Sequence, residues 1–509
     1  MFGMNNTTPK RLFRILGLLS LISWVTASVM PAASEGRPHV LFISIDDLRP
    51  DLGSFNNPEV ESPSIDQLAR EGVAFQRAYC QQSLCGPSRL SVMTGVYPDG
   101  LGIWGMSGGY QIEWRETRPD FTSLSEEFRN HGYKAIGFGK IYDSRLGLDL
   151  EHSWDYFESG WKGHYAASDS SDDQKKALNQ GKTRDKNTGR PAARRAVEAA
   201  EVPDEFYSDG NATRLAIAAL NQHDLSQPLF LAVGFQKPHL PFVAPQKYWD
   251  LYDREKLTLA PRRTPPEGFT KYMFSWYKEI EMYDVPVPTP PAFERELLHG
   301  YYACVSYVDA QVGKLVQALK DKGIYENTLI VLWGDHGFKL GDFGEWAKHT
   351  NLETDARVPL IIRAPGSAGN GQASTSIVEL VDLFPTLCEL AGLPIPEHVE
   401  GRSLVPILEN PQTKLRDYAL TQYPMVQGTM SYSLRTADWR YHETRDDTTG
   451  AFIAGELYDL SASLAEQRNV FAQHPDRVEH FAALLDAQLE SARKWTGGER
   501  ISSWGLVEE

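Results

Sequence analysis

Five short apolar runs are spaced along the chain: Val40–Ile45, Ala135–Gly139, Leu229–Gly234, Leu329–Trp333 and Pro359–Arg363. They are continuous rather than alternating, the pattern of strands covered on both faces, as in a parallel sheet between helices. Between them lie stretches with helical periodicity at Ser64–Glu71, Thr122–His131, Asn211–Gln222 and Tyr302–Lys322. Pro63 suits the first turn of the first helix, and Ser62 stands where a cap is expected. Strands alternating with helices predict an α/β fold over residues 38–405. Beyond Gly401–Pro406 the pattern changes to short strand-like pieces, Tyr418–Tyr423, Ser431–Arg435 and Trp439–His442, closed by an amphipathic helix over Pro475–Lys494. This predicts a smaller α+β subdomain, an antiparallel sheet plus a helix, over 406–509. Residues 162–202 are rich in Lys, Arg, Asp, Gln and Ala and read as a solvated insertion.

At the amino end, Lys10, Arg11 and Arg14 precede the apolar run Ile15–Val25, and small residues follow at Ala27–Ser28 and Ala32–Ser34. Basic, apolar and small segments in that order predict a signal peptide over 1–33. The run is short for a membrane span, so a secreted or periplasmic protein with no span after cleavage is expected. The 509 residues are 41% hydrophobic and 11% aromatic, enough to fill a core and to exclude a disordered chain. A net charge of −16 argues against nucleic acid as a partner, so an anionic ligand needs a local basic pocket or a metal. Four cysteines are too few for a disulfide-built scaffold of this size.

Chemistry-bearing residues follow the apolar runs. Asp46 and Asp47 come after Ile45, Lys140 after Gly139, Gln236–His239 after Gly234, and Asp335–His336 after Gly334. Open parallel sheets bind ligands at the carboxyl ends of their strands, so these side chains are expected on one rim. Asp46, Asp47 and Asp335 would form an oxygen-rich cluster suited to Ca²⁺ or Mg²⁺. The structural alternative is a salt-bridge network with lysines.

The sharpest signal is Ser83-Leu-Cys85-Gly-Pro87-Ser-Arg89, continuing to Thr94-Gly95. It resembles the signature of the type I sulfatase family, Cys-x-Pro-x-Arg with a short run to Thr-Gly. Further segments resemble the iduronate-2-sulfatase branch: Ile45–Pro50, Gly139-Lys140, Gln236–Phe242, Tyr302–Asp309, Gly334–Gly341, Gly344–Lys348 and Glu456–Leu460. The resemblance implies an alkaline-phosphatase-like architecture, a large mixed or mostly parallel sheet sandwiched by helices. It implies a sulfuric-ester hydrolase (EC 3.1.6 type) with one Ca²⁺ per subunit, bound by Asp46, Asp47, Asp335, His336 and residue 85. Cys85 would be oxidised to formylglycine by a formylglycine-generating or anaerobic sulfatase-maturating enzyme. One hydroxyl of the hydrated aldehyde attacks sulfur and the other collapses to expel sulfate, so water need not attack the ester. Arg89 would hold the diol, Lys140 and Lys348 would neutralise sulfate oxygens, and His239 would protonate the leaving alcohol. His336, where most sulfatases carry Asn, would be a weak ligand for a hard cation or stand behind the ligands.

Two positions depart from the branch. Asp143 stands where it carries a histidine thought to act as base, and Phe343 where a histidine is common. Asp143 would serve as the base, turn toward a cation or alter selectivity. The implied substrate is a sulfated oligosaccharide, heparin-like, dermatan-like or ulvan-like, desulfated at the 2-position of a terminal uronic acid. The alternatives are a related formylglycine phosphomonoester or phosphonate hydrolase and an inactive glycan-binding homologue.

Overall fold

The computed structural model describes residues 36–106, 114–161, 165–166, 195–274, 277–286, 288–426, 428–463 and 465–493. The expected signal peptide and most of the 162–202 segment lie outside the described residues. In chain order the principal elements are β1 (His39–Ile45), α1 (Pro63–Glu71), β2 (Val73–Tyr79), α2 (Cys85–Thr94), α3 (Leu124–Asn130), β3 (Lys134–Gly139), β4 (Tyr156–Glu158) and β5 (Val197–Ala200). There follow α4 (Ser208–Gln222), β6 (Leu229–Phe235), β7 (Phe242–Pro245), α5 (Pro291–Asp321), β8 (Thr328–Gly334), β9 (Arg357–Arg363), β10 (Gln372–Glu379) and α6 (Leu383–Leu390). The C-terminal part holds β11 (Tyr418–Tyr423), β12 (Thr429–Thr436), β13 (Trp439–Asp446), β14 (Phe452–Asp459) and α7 (Pro475–Arg493).

The main sheet has eight strands in the order β10-β2-β9-β8-β1-β6-β3-β4. Strands β3, β6, β1 and β8 are mutually parallel, whereas β9 is antiparallel to both β8 and β2, so the sheet is mixed. Every residue of β1, β6 and β8 is buried, which is why their sequences are uninterrupted apolar runs. Alternate side chains feed two cores. Leu41, Ile43 and Val233 meet Tyr301, Val305 and Val308 of α5 on one face. Val40, Phe42 and Trp333 meet Val92 of α2 and Phe384 of α6 on the other. Each such side chain contributes about 1.5–3 kcal/mol on burial, and together they hold the four strand ends in register.

Helix α1 starts at Pro63 as expected, but Ser62 does not cap it: the Ser62 hydroxyl accepts the Gly53 N–H at 3.1 Å. The cap comes from α5, where the Asp309 carboxylate accepts the N–H of Ser64 at 3.2 Å and of Ile65 at 2.7 Å. Strand β5, inside the segment read as a polar insertion, pairs in parallel with β7. The C-terminal sheet is antiparallel, in the order β11-β12-β13-β14, and its fourth strand was not read from the sequence. Leu434, Tyr441 and Leu457 of this sheet pack on Phe481, Leu485 and Leu489 of α7. No helix among the described residues is long and apolar enough to cross a membrane.

Candidate active site

The carboxyl ends of β1, β3 and β8 and the first turn of α2 meet at one rim. The ladder continues past β1, with Asp46 N–H on Phe235 O and Asp335 N–H on Ile45 O, both at 3.1 Å. Asp47 then turns into the left-handed region at φ 59°, with its carbonyl held by the Tyr301 hydroxyl of α5 at 2.7 Å. Lys140 leaves β3 through Gly139, at φ +74°, where a Cβ would lie 2.0 Å from Gly234 O. A Cβ on Gly234 would in turn meet Lys140 O at 2.1 Å. Only two glycines let the chain cross there and deliver the lysine.

Cys85 opens α2, fully buried, with Sγ 3.2 Å from Asp46 Oδ1, 3.2 Å from His336 Nε2 and 3.6 Å from Lys348 Nζ. Lys140 Nζ donates to Asp46 Oδ2 at 2.5 Å and Lys348 Nζ to Asp47 Oδ1 at 2.7 Å. Arg89, one helical turn after Cys85, donates through Nε to Asp335 Oδ2 at 2.8 Å and through Nη1 to Ser44 Oγ at 3.0 Å. Nη1 also holds the Lys140 carbonyl, while the buried Nη2 lies 3.7 Å from Asp46 Oδ1 without a hydrogen bond. Arg89 therefore ties three strand ends together. Asp335 Oδ1 accepts the N–H of Asp47 at 3.1 Å and of His336 at 2.9 Å.

Asp46, Asp47, Cys85 and His336 each bring one donor atom within 4.8 Å of the others. Asp335 sits beside this group with both oxygens engaged. Asp47 Oδ2 is buried with no hydrogen bond. Burial pushes the Asp47 carboxyl well up against the pull of Lys348, and Asp46, Glu279 and Asp335 add to the rise. Burial likewise lifts Asp335 to about 7, with Asp46 opposing Arg89. Acids held against burial and against each other fit a divalent cation. His336 Nδ1 lies 3.0 Å from Gly337 O, which places the ring proton there and leaves the Nε2 lone pair facing the cluster. Burial and Lys348 keep this imidazole neutral, as a ligand must be.

His239 lies at the same rim, with Nδ1 2.6 Å from Leu240 O and Nε2 3.3 Å from Glu279 Oε1. Glu279 Oε2 is 3.5 Å from Lys348 Nζ. Glu279 was not found in the sequence, nor was His349, which is buried at φ 79° with Nδ1 unpartnered. Glu279 falls in a loop with no apolar periodicity to anchor it. His349 is adjacent to the Gly344–Lys348 motif, the one signal that pointed there. Asp143 has turned toward cations. Its Oδ1 accepts from Arg145 Nε and its Oδ2 from Arg145 Nη2, both at 2.8 Å, with Lys140 Nζ 3.7 Å from Oδ2. Although burial works the other way, Arg145 and Lys140 hold this carboxyl below its usual range, which makes it a weak base. Phe343 is buried against Met273, Leu352 and Tyr458, a packing role that a histidine there would not fill.

A buried cysteine at a helix start, an acid cluster at strand ends and two flanking lysines make up the site of an alkaline-phosphatase-like fold. A family model described as "Sulfatase" matches residues 38–393, and one described as "N-sulphoglucosamine sulphohydrolase, C-terminal" matches 341–494. The chain belongs to the sulfatase family and is a sulfuric-ester hydrolase. It is 32% identical to iduronate 2-sulfatase of Mus musculus, covering 92% of this chain and 98% of that one. It is 30% identical to a sulfatase of Formosa agariphila, covering 93% and 91% respectively. Among solved structures, a protein in complex with its substrate D-glucosamine-2-N,6-O-disulfate shares the fold at a TM-score of 0.70 and 21% identity, covering 92% of this chain and 99% of that one. The phosphonate monoester hydrolase of Agrobacterium radiobacter does so at 0.69 and 22%, covering 89% and 96%.

Proposed function

We propose that this protein is exported from the cytoplasm and removes sulfate from the 2-position of a uronic acid at the end of a sulfated glycan. The observation that carries the reading is the position of Cys85, buried at the start of α2 against Asp46 and flanked by Lys140 and Lys348. The similarity to iduronate 2-sulfatases over nearly the whole chain supports the substrate class.

Burial, with Asp46 adding to it, pushes the Cys85 thiol well above its ordinary range, so the unmodified side chain is a poor nucleophile. This favours its conversion by a maturation enzyme to formylglycine. Asp46, Asp47, Asp335 and His336 would hold Ca²⁺ together with residue 85; when present, the hydrated aldehyde supplies the attacking oxygen and the ion supplies positive charge. Lys140 and Lys348 remain cationic despite burial because Asp46 and Asp47 face them, and they are set to neutralise sulfate oxygens. His239 carries its Nδ1 proton on Leu240 O. A second proton between Nε2 and Glu279 Oε1 is the one a leaving alcohol would take. Burial drives that imidazole down to about 4 against the pull of Glu279, so the second proton is one the ring would take up only with an anionic substrate beside it.

The test is mass spectrometry of the Cys85 peptide after co-expression with a maturation enzyme, followed by turnover of defined sulfated oligosaccharides and of matched aryl sulfate and phosphonate esters. Formylglycine at residue 85 and release of 2-O-sulfate from a terminal uronate are expected. Faster turnover of the phosphonate ester, or sulfate released only from other positions, would overturn the substrate reading.

A further inference from the structure

We propose that Asp143 and Arg145 form a subsite beside the active site in which the acid fixes the guanidinium, whose open edge binds an anionic substituent, a carboxylate or a second sulfate, on the sugar carrying the scissile ester. The inference rests on the sulfatase reading for the identity of that sugar and extends it to two residues that the reaction itself does not require.

The short turn Ser144–Leu146 follows β3 and is capped by Asp143, whose Oδ1 accepts the Arg145 N–H at 3.1 Å. The same carboxylate grips the Arg145 side chain as a fork, Nε on Oδ1 and Nη2 on Oδ2, each at 2.8 Å. The acid lies inside, with 4% of its side chain exposed, and the guanidinium outside, with 55% exposed. The fork leaves the Nη1 edge of the guanidinium outside the pair. Burying a carboxylate is costly, and a pair open to solvent on one side returns at most about 1 kcal/mol. Stability alone is thus a weak reason for this arrangement.

The turn is seated on the nucleophile. Leu146 is buried and packs on Gly86, the neighbour of Cys85, so tightly that a Cβ on Gly86 would lie 2.5 Å from Leu146 Cδ1. Leu146 is directed inward against Gly86, whereas the next side chain back, Arg145, is half exposed. The charges also point to an anion. Lys140 Nζ stands between Asp46 Oδ2 at 2.5 Å and Asp143 Oδ2 at 3.7 Å, so Asp143 is shared between a second cation of the site and the Arg145 fork. Asp143 is the main charge acting on Arg145, and that of Asp46 reaches it as well, which places the guanidinium within the field of the site. A planar guanidinium held by one edge presents the other to a carboxylate or sulfate in fixed geometry.

The experiment is calorimetric titration of the Cys85→Ala protein, with and without Arg145→Ala, using three probes: a glucuronate 2-sulfate, the matching neutral hexose 2-sulfate and a neutral hexose disulfate. Charge-assisted hydrogen bonds of this kind correspond to about 10–100-fold in affinity. Arg145→Ala should weaken the uronate or the disulfate by that factor relative to the neutral monosulfate, and the probe that loses most identifies the substituent. Asp143→Asn, which frees the guanidinium, should lower the same ratio. Equal losses on all three probes, or none, would overturn the subsite. So would an Asp143→Asn protein with unchanged affinity ratios whose matured form turns over an aryl sulfate slowly, the behaviour of a base. Binding is read without turnover, so a matured wild-type protein inactive on every sulfate ester would defeat the proposed function and leave this measurement standing.

Discussion

At the seam with the C-terminal sheet, Glu353 accepts from Arg435 Nε at 2.8 Å and from Arg440 Nη2, while Arg440 Nε lies 2.9 Å from Glu466 Oε1. At the strand-end rim, Asp47 and Asp335 are equally buried and also lie beside cations, Lys348 and Arg89. The outcomes are opposite. Burial would lift Glu353, yet Arg435 and Arg440 hold it down to about 2. Burial lifts Asp47 and Asp335 further than Lys348 and Arg89 bring them back, and Asp46 adds to the rise of both. Glu353 is complete as it stands, with one oxygen accepting from Tyr79 and the other from the two guanidiniums; Asp47, crowded by other acids and with Oδ2 unpartnered, is held for something that binds. Burial is common to Glu353 and Asp47, so the sign of the neighbours is what separates these two acids.

The largest effect expected is on activity. Asp47→Asn should lower kcat/KM of the matured enzyme by about a thousandfold or more, an effect of about 4 kcal/mol on the barrier. The same change should leave the melting temperature in chelator unchanged or raise it, because it removes a charge the fold holds at a cost. A melting temperature that falls as far as in the seam variant would erase the contrast. In that seam variant, Glu353→Gln, the effect is on stability: about 3–5 kcal/mol lost, with two guanidiniums left buried without their shared acid. Turnover per folded molecule should not change. Because the folded-state pKa of Glu353 is depressed from 4.5, its contribution is present above pH 4.5 and is lost as pH falls through that value toward 2. Urea unfolding across that range should show the fall in the parent and not in the variant.

Calcium removal is a smaller lever and reads both clusters at once. Calcium at about a hundred times its Kd stabilises a protein by about 2.7 kcal/mol. Melts with and without chelator should show that increment in the parent and in Glu353→Gln, and not in Asp47→Asn. An increment retained by Asp47→Asn would move the cation away from this cluster.

The sequence carried the rim because β1, β3, β6 and β8 are buried on both faces: an apolar run followed at once by Asp46, Lys140 or Asp335 shows both the strand and the side chain it delivers. It did not carry β2, where Gln76 and Arg77 interrupt the run, or β10, whose first half is Gln-Ala-Ser-Thr-Ser and partly exposed. Glu279 was hidden for a related reason. It reaches the site from a short 3-10 turn, Glu279–Met282, in a stretch rich in Pro and aromatic residues, and its importance lies in contacts with His239 and Lys348 that no local spacing encodes. Arg145 was legible as a residue, but its meaning depends on the fork from Asp143 and the seat of Leu146 on Gly86.

The smallest effect tests whether a raised carboxyl pKa is by itself the mark of a site. Asp309 is buried and pushed up to about 6 by burial, as Asp47 and Asp335 are pushed up, yet its partners are the backbone N–H groups of Ser64 and Ile65. Those donors are orphans of the helix start, so the side chain is satisfied without a cation. Asp309→Ala should cost about 1 kcal/mol in urea unfolding, the usual value of a lost cap. Asp309→Asn, which can still accept, should cost less. With its folded-state pKa raised, the contribution of Asp309 is full below pH 3.8 and is lost as pH rises through 6. The asparagine variant should therefore close the gap on the parent between pH 5 and pH 8. Neither variant should alter the calcium increment. A change in it would mean that Asp309 belongs with Asp47 rather than with Glu353, and that unsatisfied oxygens are the wrong criterion for telling the two kinds of cluster apart.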